Sequence, residues 1–218
     1  ALSSAASDVY KRQAIWVGCP EDENGAIALE SYGLIRSRIG KADALLAGSG
    51  ITACAETAAL VRQILSDFPE LPAVLDADAI TKQTMDALKG RPAPSIATPH
   101  EGEFLRIAKD ASDSSLAEAC EKYGCAILLK SSATRSCVDG RIMYSTRGGP
   151  VLSRGGSGDI LAGLCCGIAA SKKFPSPALA ALCASDWLGR AAELAARELG
   201  ETAVATSDII KFLPSALL

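Results

Sequence analysis

Short apolar runs alternate along this chain with longer stretches in which apolar residues recur at helical spacing. From Ala14 onwards the alternation is typical of βαβ units, whose strands form a parallel sheet that is covered by helices. We therefore predict a three-layer αβα domain with a mostly parallel central sheet. Up to residue 130 the predicted elements are strand 14–18, helix 25–39, strand 43–48, helix 55–66, strand 73–77, helix 79–89, strand 95–99, a short helix from 101, helix 114–123 and strand 125–130.

The period of the pattern changes after residue 130. Residues 134–146 predict two strands around a turn at Asp139-Gly140, because an Asp-Gly pair between apolar strands is a strong hairpin signal. Two Ala-rich helices, 157–170 and 177–199, and a final helix, 207–213, complete the domain. Residues 1–13 are small and polar without periodicity, which predicts a disordered or foreign tail ahead of a domain over 14–218.

Polar or glycine-rich clusters follow four of the predicted strands. In an open α/β sheet, ligands bind beyond the carboxyl ends of the strands, so these clusters are expected to converge on one site. The clusters are Gly48-Ser49-Gly50, Asp76-Ala77-Asp78, Thr98-Pro99-His100-Glu101-Gly102-Glu103 and Lys130-Ser131-Ser132-Ala133-Thr134.

A fifth cluster, Gly155-Gly156-Ser157-Gly158-Asp159, comes directly before a long apolar helix. The N–H groups and positive dipole end of such a helix start form an anion site suited to nucleotide phosphates. Asp159 in the first turn either complements the helix dipole or acts on a ligand there, and the glycine run favours the second role. The chain has neither a GxGxxG dinucleotide motif in a first βα turn nor a Walker sequence, so a nucleotide would be held in another way.

Charge and composition narrow the class of partner. A net charge of −3 with scattered Lys and Arg gives no basic stripe for nucleic acid. No apolar run has the length of a membrane span, and we expect a cytoplasmic protein without membrane contact. The eight cysteines lie mostly in apolar segments, with no Cys-x-x-Cys pair and a single histidine in the chain, which disfavours disulfides and zinc.

The fifth cluster continues as GGSGDILAG, which resembles the signature of the ribokinase-like superfamily. TPHEGE at 98–103, together with LDADA, KSSAT and the C-terminal ATSDII, resembles more narrowly the NAD(P)H-hydrate dehydratase family. The similarity runs from about Leu45 to Leu213. It implies a ribokinase-like fold and an enzyme that repairs hydrated NADH or NADPH using ADP or ATP with Mg²⁺.

The resemblance also implies roles for individual residues. The hydroxyl of the hydrate would be phosphorylated and phosphate then eliminated, with Asp159 as the catalytic base and Gly158 stabilising the transferring phosphoryl group. His100 and Gly50 would contact the hydrate together with Asp159, and the chain would form a homo-oligomer. The adenosine phosphate site would comprise Lys130, Ser131, Ser132, Ala133, Thr134 and Gly158, with no dedicated metal site in the protein.

Two features depart from the family pattern. The segment that usually has the sequence GPGLG is Gly48-Ser49-Gly50-Ile51-Thr52 here, so threonine replaces a glycine and we expect a less close approach of the backbone to the ligand. Nothing before Ala14 resembles the strand, Gly-Gly-Ser turn and Ala-rich helix with which the family usually begins. The resemblance therefore implies an N-terminally truncated copy.

Several alternatives are open at this point. His100 either contacts ligand or is satisfied locally, Asp76 or Asp78 either serves the site or caps the helix near Ala79, and Glu103 either orients His100 or positions magnesium through water. The alternative functions are a kinase of the same superfamily acting on a vitamin-precursor alcohol, and an inactive remnant that acts only in assembly. TPHEGE counts against the kinase.

Overall fold

The computed structural model describes residues 14–173 and 176–217. The tail predicted over 1–13 lies outside the described residues. The helices are α1 (Ser31–Ile39), α2 (Ala55–Asp67), α3 (Lys82–Asp86), α4 (Glu101–Phe104), α5 (Asp113–Tyr123), α6 (Ser157–Ser171), α7 (Pro177–Leu199) and α8 (Thr206–Phe212). The strands are β1 (Leu45–Ala47), β2 (Ala73–Leu75), β3 (Ser95–Ala97), β4 (Ala126–Leu129), β5 (Thr134–Val138) and β6 (Arg141–Ser145). Short 3₁₀ turns occur at Ala77–Ala79, Gly149–Leu152 and Ser215–Leu217.

The six strands form one sheet in the order β1-β2-β3-β4-β5-β6. Strands β1 to β4 are parallel, and the hairpin β5-β6 adds two antiparallel strands beside β4. An isolated parallel bridge between His100 and Lys130 continues the pairing of β3 and β4 beyond their ends. The prediction of a mostly parallel sheet is thereby confirmed, and so is the hairpin around Asp139-Gly140.

Alternate side chains of the central strands enter two separate cores. Val74 and Ile96 pack in one core with α6, α7 and α8. Leu75 and Ala97, one residue further along each strand, pack on the opposite face with α2, α3 and α5. Because both faces are covered, these strands are continuous apolar runs, and the result is the expected three layers.

The N-terminal part of the prediction is wrong in two places. Residues 14–18 form no strand, and Ile15 and Trp16 are 82% and 67% exposed. An apolar run predicts burial but does not specify a strand edge with which to pair. The helix predicted from residue 25 begins only at Ser31, because the Asp22 carboxylate accepts hydrogen bonds from the N–H groups of Asn24 and Ala26 and so holds a turn there.

The helix predicted over 79–89 is also shorter in the structure. The chain makes a 3₁₀ turn at Ala77–Ala79 and starts α3 only after Thr81. Thr81 and Thr84 bond each other's backbone N–H in a capping box, which fixes the helix start at Lys82.

In the described part of the chain, no helix is both long enough and apolar enough to cross a membrane.

Candidate active site

Helix α6 starts at the carboxyl edge of the sheet, where its first-turn residues Gly158 and Asp159 lie against Lys130 and Ser49. Its N-cap is Gly156, which has φ +88° and provides no side-chain cap. The Ser157 hydroxyl donates to the carbonyls of Leu152 and Arg154 at 2.7 and 2.9 Å, so it does not cap the helix either. Uncapped N–H groups at the positive end of a 15-residue helix form an anion site.

Lys130, directly after β4, lies beside this helix start. A Cβ atom placed on Gly158 would lie 3.4 Å from Lys130 Nζ. The ammonium group and the helix N-terminus therefore face the same small volume. An anion placed there would be stabilised by a full positive charge and by the helix dipole together.

A buried carboxylate holds the Lys130 ammonium in place. Asp76 Oδ1 accepts from Lys130 Nζ at 2.8 Å and from the Thr98 hydroxyl at 2.8 Å, and the Asp76 side chain is 3% exposed. Asp76 makes no side-chain cap for the following 3₁₀ turn, so the capping alternative for this residue is wrong. Glu103 Oε2 lies 3.8 Å from the same ammonium.

His100 and Glu103 bond each other in a capping box at the start of α4. Glu103 accepts from the His100 backbone N–H at 2.8 Å, while His100 Nδ1 accepts from the Glu103 N–H at 3.2 Å. His100 Nε2 lies 3.1 Å from Glu103 Oε1. The Nδ1 acceptor of the ring is thus used locally, and Nε2 faces the Glu103 carboxylate. Glu103 therefore orients His100, one of the two roles left open by the sequence.

The glycine segment after β1 reaches Asp159 across the site. The Ser49 hydroxyl donates to Asp159 Oδ1 at 2.6 Å. This segment is held against β2, since a Cβ atom on Gly48 would lie only 1.7 Å from the Asp76 carbonyl oxygen. The four strand-end clusters and the fifth cluster therefore meet at one edge of the sheet, as expected.

Thr52, which replaces the usual glycine, has φ +63° and an exposed side chain. The backbone thus keeps a left-handed conformation that favours glycine, at a cost of about 1 kcal/mol for a β-branched residue. The threonine therefore adds strain to this turn, while the backbone keeps its left-handed conformation.

A cavity of about 750 Å³ opens beside Lys130 and the start of α6. Six of the predicted site residues line one side of it: His100, Lys130, Ser131, Ser132, Thr134 and Gly158. Gly50, Ala133 and Asp159 are not among the residues that line it. The opposite side is built by residues that sequence reasoning missed, from the loop after β6 (Thr146 to Ser153) and from α7 (Ser185 and Leu188). The turn signal Gly148-Gly149-Pro150 marks that loop in the sequence, but it does not indicate a ligand site.

The thiols differ in pKa. Burial raises the pKa of Cys165, on the inner face of α6, to about 12, so this thiol is a neutral packing group at physiological pH. At the start of α2, the Thr57 hydroxyl and then its backbone N–H lower the pKa of the Cys54 thiol. All eight cysteines are free.

A sheet of this topology with a Gly-Asp helix start at its carboxyl edge defines a ribokinase-like α/β protein. In agreement, a solved ribokinase-like superfamily protein from Enterococcus faecalis superposes with a TM-score of 0.70 at 24% identity, covering 86% of this chain and 66% of that one. The model of the NAD(P)H-hydrate dehydratase family matches residues 19–215. The chain therefore belongs to the NAD(P)H-hydrate dehydratase family.

One curated relative supports this assignment, and a further solved structure shows the same fold. The bifunctional NAD(P)H-hydrate repair enzyme Nnr of Moorella thermoacetica is 31% identical over 208 residues, which are 91% of this chain and 39% of that protein. The chain thus spans about two-fifths of the length of this relative. The ADP/ATP-dependent NAD(P)H-hydrate dehydratase of Bacillus subtilis, co-crystallised with ATP and Mg²⁺, superposes with a TM-score of 0.69 at 24% identity, covering 87% of this chain and 76% of that one.

Proposed function

We propose that this chain catalyses the nucleotide-dependent dehydration of hydrated NADH and NADPH, which returns the reduced coenzymes. The observation that carries the proposal is the juxtaposition at the start of α6, where the Asp159 carboxylate follows the Gly158 anion site that Lys130 also faces. A base beside an anion site is what transfer of a phosphoryl group to a hydroxyl requires.

The nucleotide would bind with its phosphates at the start of α6. Lys130 and the Gly158 N–H would stabilise the negative charge of the phosphate that is transferred. Residues 131–134 would line the site of the adenosine phosphate. Leu152 and Leu188 give the far side of the cavity an apolar surface against which the adenine ring of the nucleotide would pack. The proposed donor is ADP, with ATP as the alternative.

The reaction would proceed in two steps. In the first, the hydroxyl oxygen of the hydrate attacks the terminal phosphorus, Asp159 accepts the hydroxyl proton, and the shortened nucleotide leaves. In the second, the C–O bond breaks with its electron pair on the departing phosphate, and loss of the neighbouring proton restores the ring double bond. The hydrate would lie against Gly50 and His100, on the β1 and β3 side of the site.

Magnesium fits this arrangement as a partner of the nucleotide. The described residues contain no cluster of three or more metal-ligating side chains. Mg²⁺ in nucleotide sites is commonly held by one or two carboxylates together with phosphates, and Asp76 and Glu103 are the carboxylates that flank Lys130. The ion would offset negative charge on the phosphates.

The direct test is incubation of the protein with NADH hydrate, Mg²⁺ and either ADP or ATP, following the return of reduced-nicotinamide absorbance. We expect recovery that depends on the nucleotide and stops when magnesium is chelated. No recovery with either nucleotide would contradict the proposal, and phosphorylation of a vitamin-precursor alcohol in its place would favour the kinase alternative. We also propose that the chain forms the homo-oligomer that the family resemblance implies, and sedimentation of the same sample tests this.

Replacing His100 by asparagine is expected to weaken binding of the hydrate about 3- to 10-fold, the effect of losing one hydrogen bond, with nucleotide affinity unchanged. Asparagine is a good N-cap, so α4 keeps its start and the loss reports on the imidazole. Separate titrations of hydrate and nucleotide measure the two affinities. Equal weakening of both would identify His100 as a structural residue of the strand end.

A further inference from the structure

The hydrogen bond between Ser49 and Asp159 connects residues that are 110 positions apart in the sequence. It joins the carboxyl end of β1 to the first turn of α6. Its length of 2.6 Å is typical of a hydroxyl that donates to an ionised carboxylate. Among the described residues, Asp159 is the one hydrogen-bond partner of the Ser49 hydroxyl.

The backbone around Ser49 is fixed independently of this bond. Gly48 has φ +144° and packs directly on the Asp76 carbonyl, and Gly50 has φ +74°. The N–H of Asp76 donates to the Ala47 carbonyl at 2.9 Å, which ties the same segment to β2. Ser49 therefore presents its hydroxyl from a rigid turn.

Asp159 itself is exposed, and no other hydrogen bond to its carboxylate is present in the described part of the chain. An exposed aspartate without such a bond samples several side-chain rotamers, of which few present an oxygen to a given substrate atom. The bond from Ser49 restricts this freedom. With Oδ1 engaged, Oδ2 is the oxygen left to accept a proton.

We propose that Ser49 is a positioning residue that fixes the carboxylate of Asp159 so that Oδ2 meets the substrate hydroxyl. This role rests on the proposed function, in which Asp159 is the base. A misplaced base slows proton transfer, whereas the nucleotide and the hydrate have their own contacts. The role therefore concerns turnover and not affinity.

The test compares Ser49→Ala, which removes the hydroxyl, with Ser49→Thr, which keeps it. We expect Ser49→Ala to lower kcat about fivefold, the effect of one lost hydrogen bond, with KM for the hydrate and nucleotide affinity unchanged. Ser49→Thr is expected to stay within about twofold of the parent, by the same reasoning. Ser37→Ala, in which an exposed serine loses a bond to the Leu34 carbonyl on α1, is the control for loss of a surface hydroxyl.

A double-mutant cycle with Asp159→Asn assigns the effect to this pair. If Ser49 acts through Asp159, the added Ser49→Ala change lowers the residual turnover of Asp159→Asn much less than it lowers that of the parent. Unchanged kcat in Ser49→Ala, equal losses in the alanine and threonine variants, or a raised KM would overturn the positioning role while the parent stays active. An inactive parent would overturn the proposed function and this role with it.

Discussion

Replacement of Asp159 by asparagine is expected to lower the turnover number about 10²- to 10⁴-fold, the usual contribution of a general base, with little change in nucleotide affinity. Asparagine has nearly the same size and can still accept the hydrogen bond from Ser49, so the geometry of the site is preserved. What is lost is an oxygen basic enough to take the proton of the hydroxyl. Single-turnover kinetics with saturating nucleotide measures this loss directly.

The alternative role of Asp159, complementing the dipole of α6, predicts a different outcome. Loss of a first-turn charge at an exposed position costs at most about 1 kcal/mol of stability and has no effect on chemistry. Glu56→Gln, in the first turn of α2, is the control because it removes a charge at a helix start outside the cavity, where Glu56, like Asp159, accepts one hydrogen bond. Near-normal turnover by a folded Asp159→Asn protein would refute the proposed mechanism.

Gly48→Ala is expected to lower the free energy of unfolding by about 4 kcal/mol, because two costs of about 1–3 kcal/mol add. Residues with side chains rarely adopt the φ of +144° found at Gly48. In addition, the new Cβ atom would lie 1.7 Å from the Asp76 carbonyl oxygen and 2.5 Å from its carbon. These are backbone atoms of a buried strand end, so they cannot move aside as a flexible side chain would.

Gly50→Ala separates the two costs. Gly50 also has a left-handed φ of +74°, but nothing lies within 4 Å of its added Cβ atom. Its substitution is expected to cost about 1–2 kcal/mol, from backbone strain alone. Urea unfolding of the two variants measures the difference, and equal losses would show that β1 and β2 separate easily at this edge.

Much of the architecture could be predicted from local pattern. The strands β1 to β4, the β5-β6 hairpin and the long helices α6 and α7 all lie within a few residues of their expected positions. Their signals are local, because period, turn residues and glycine runs depend on neighbours in the sequence. Two helix starts were mispredicted where a side chain redirected the backbone, as Asp22 does ahead of α1 and Thr81 does ahead of α3. The strand predicted over 14–18 was wrong because an apolar run does not specify a strand edge with which to pair.

The candidate site, like the fold, could be predicted from local pattern only in part. The sequence by itself determined that Asp159 follows glycines at a helix start and that polar clusters end successive parallel strands, because both follow from local pattern and the parallel order of the strands. Only the tertiary structure decided that Asp76 binds Lys130, that Ser49 binds Asp159, and that the loop after β6 and helix α7 close the cavity. These contacts join residues 54 and 110 positions apart. Which side chains meet when they are so far apart in the sequence depends on strand order, on register and on the placement of α6 over the sheet. Local pattern does not specify any of these.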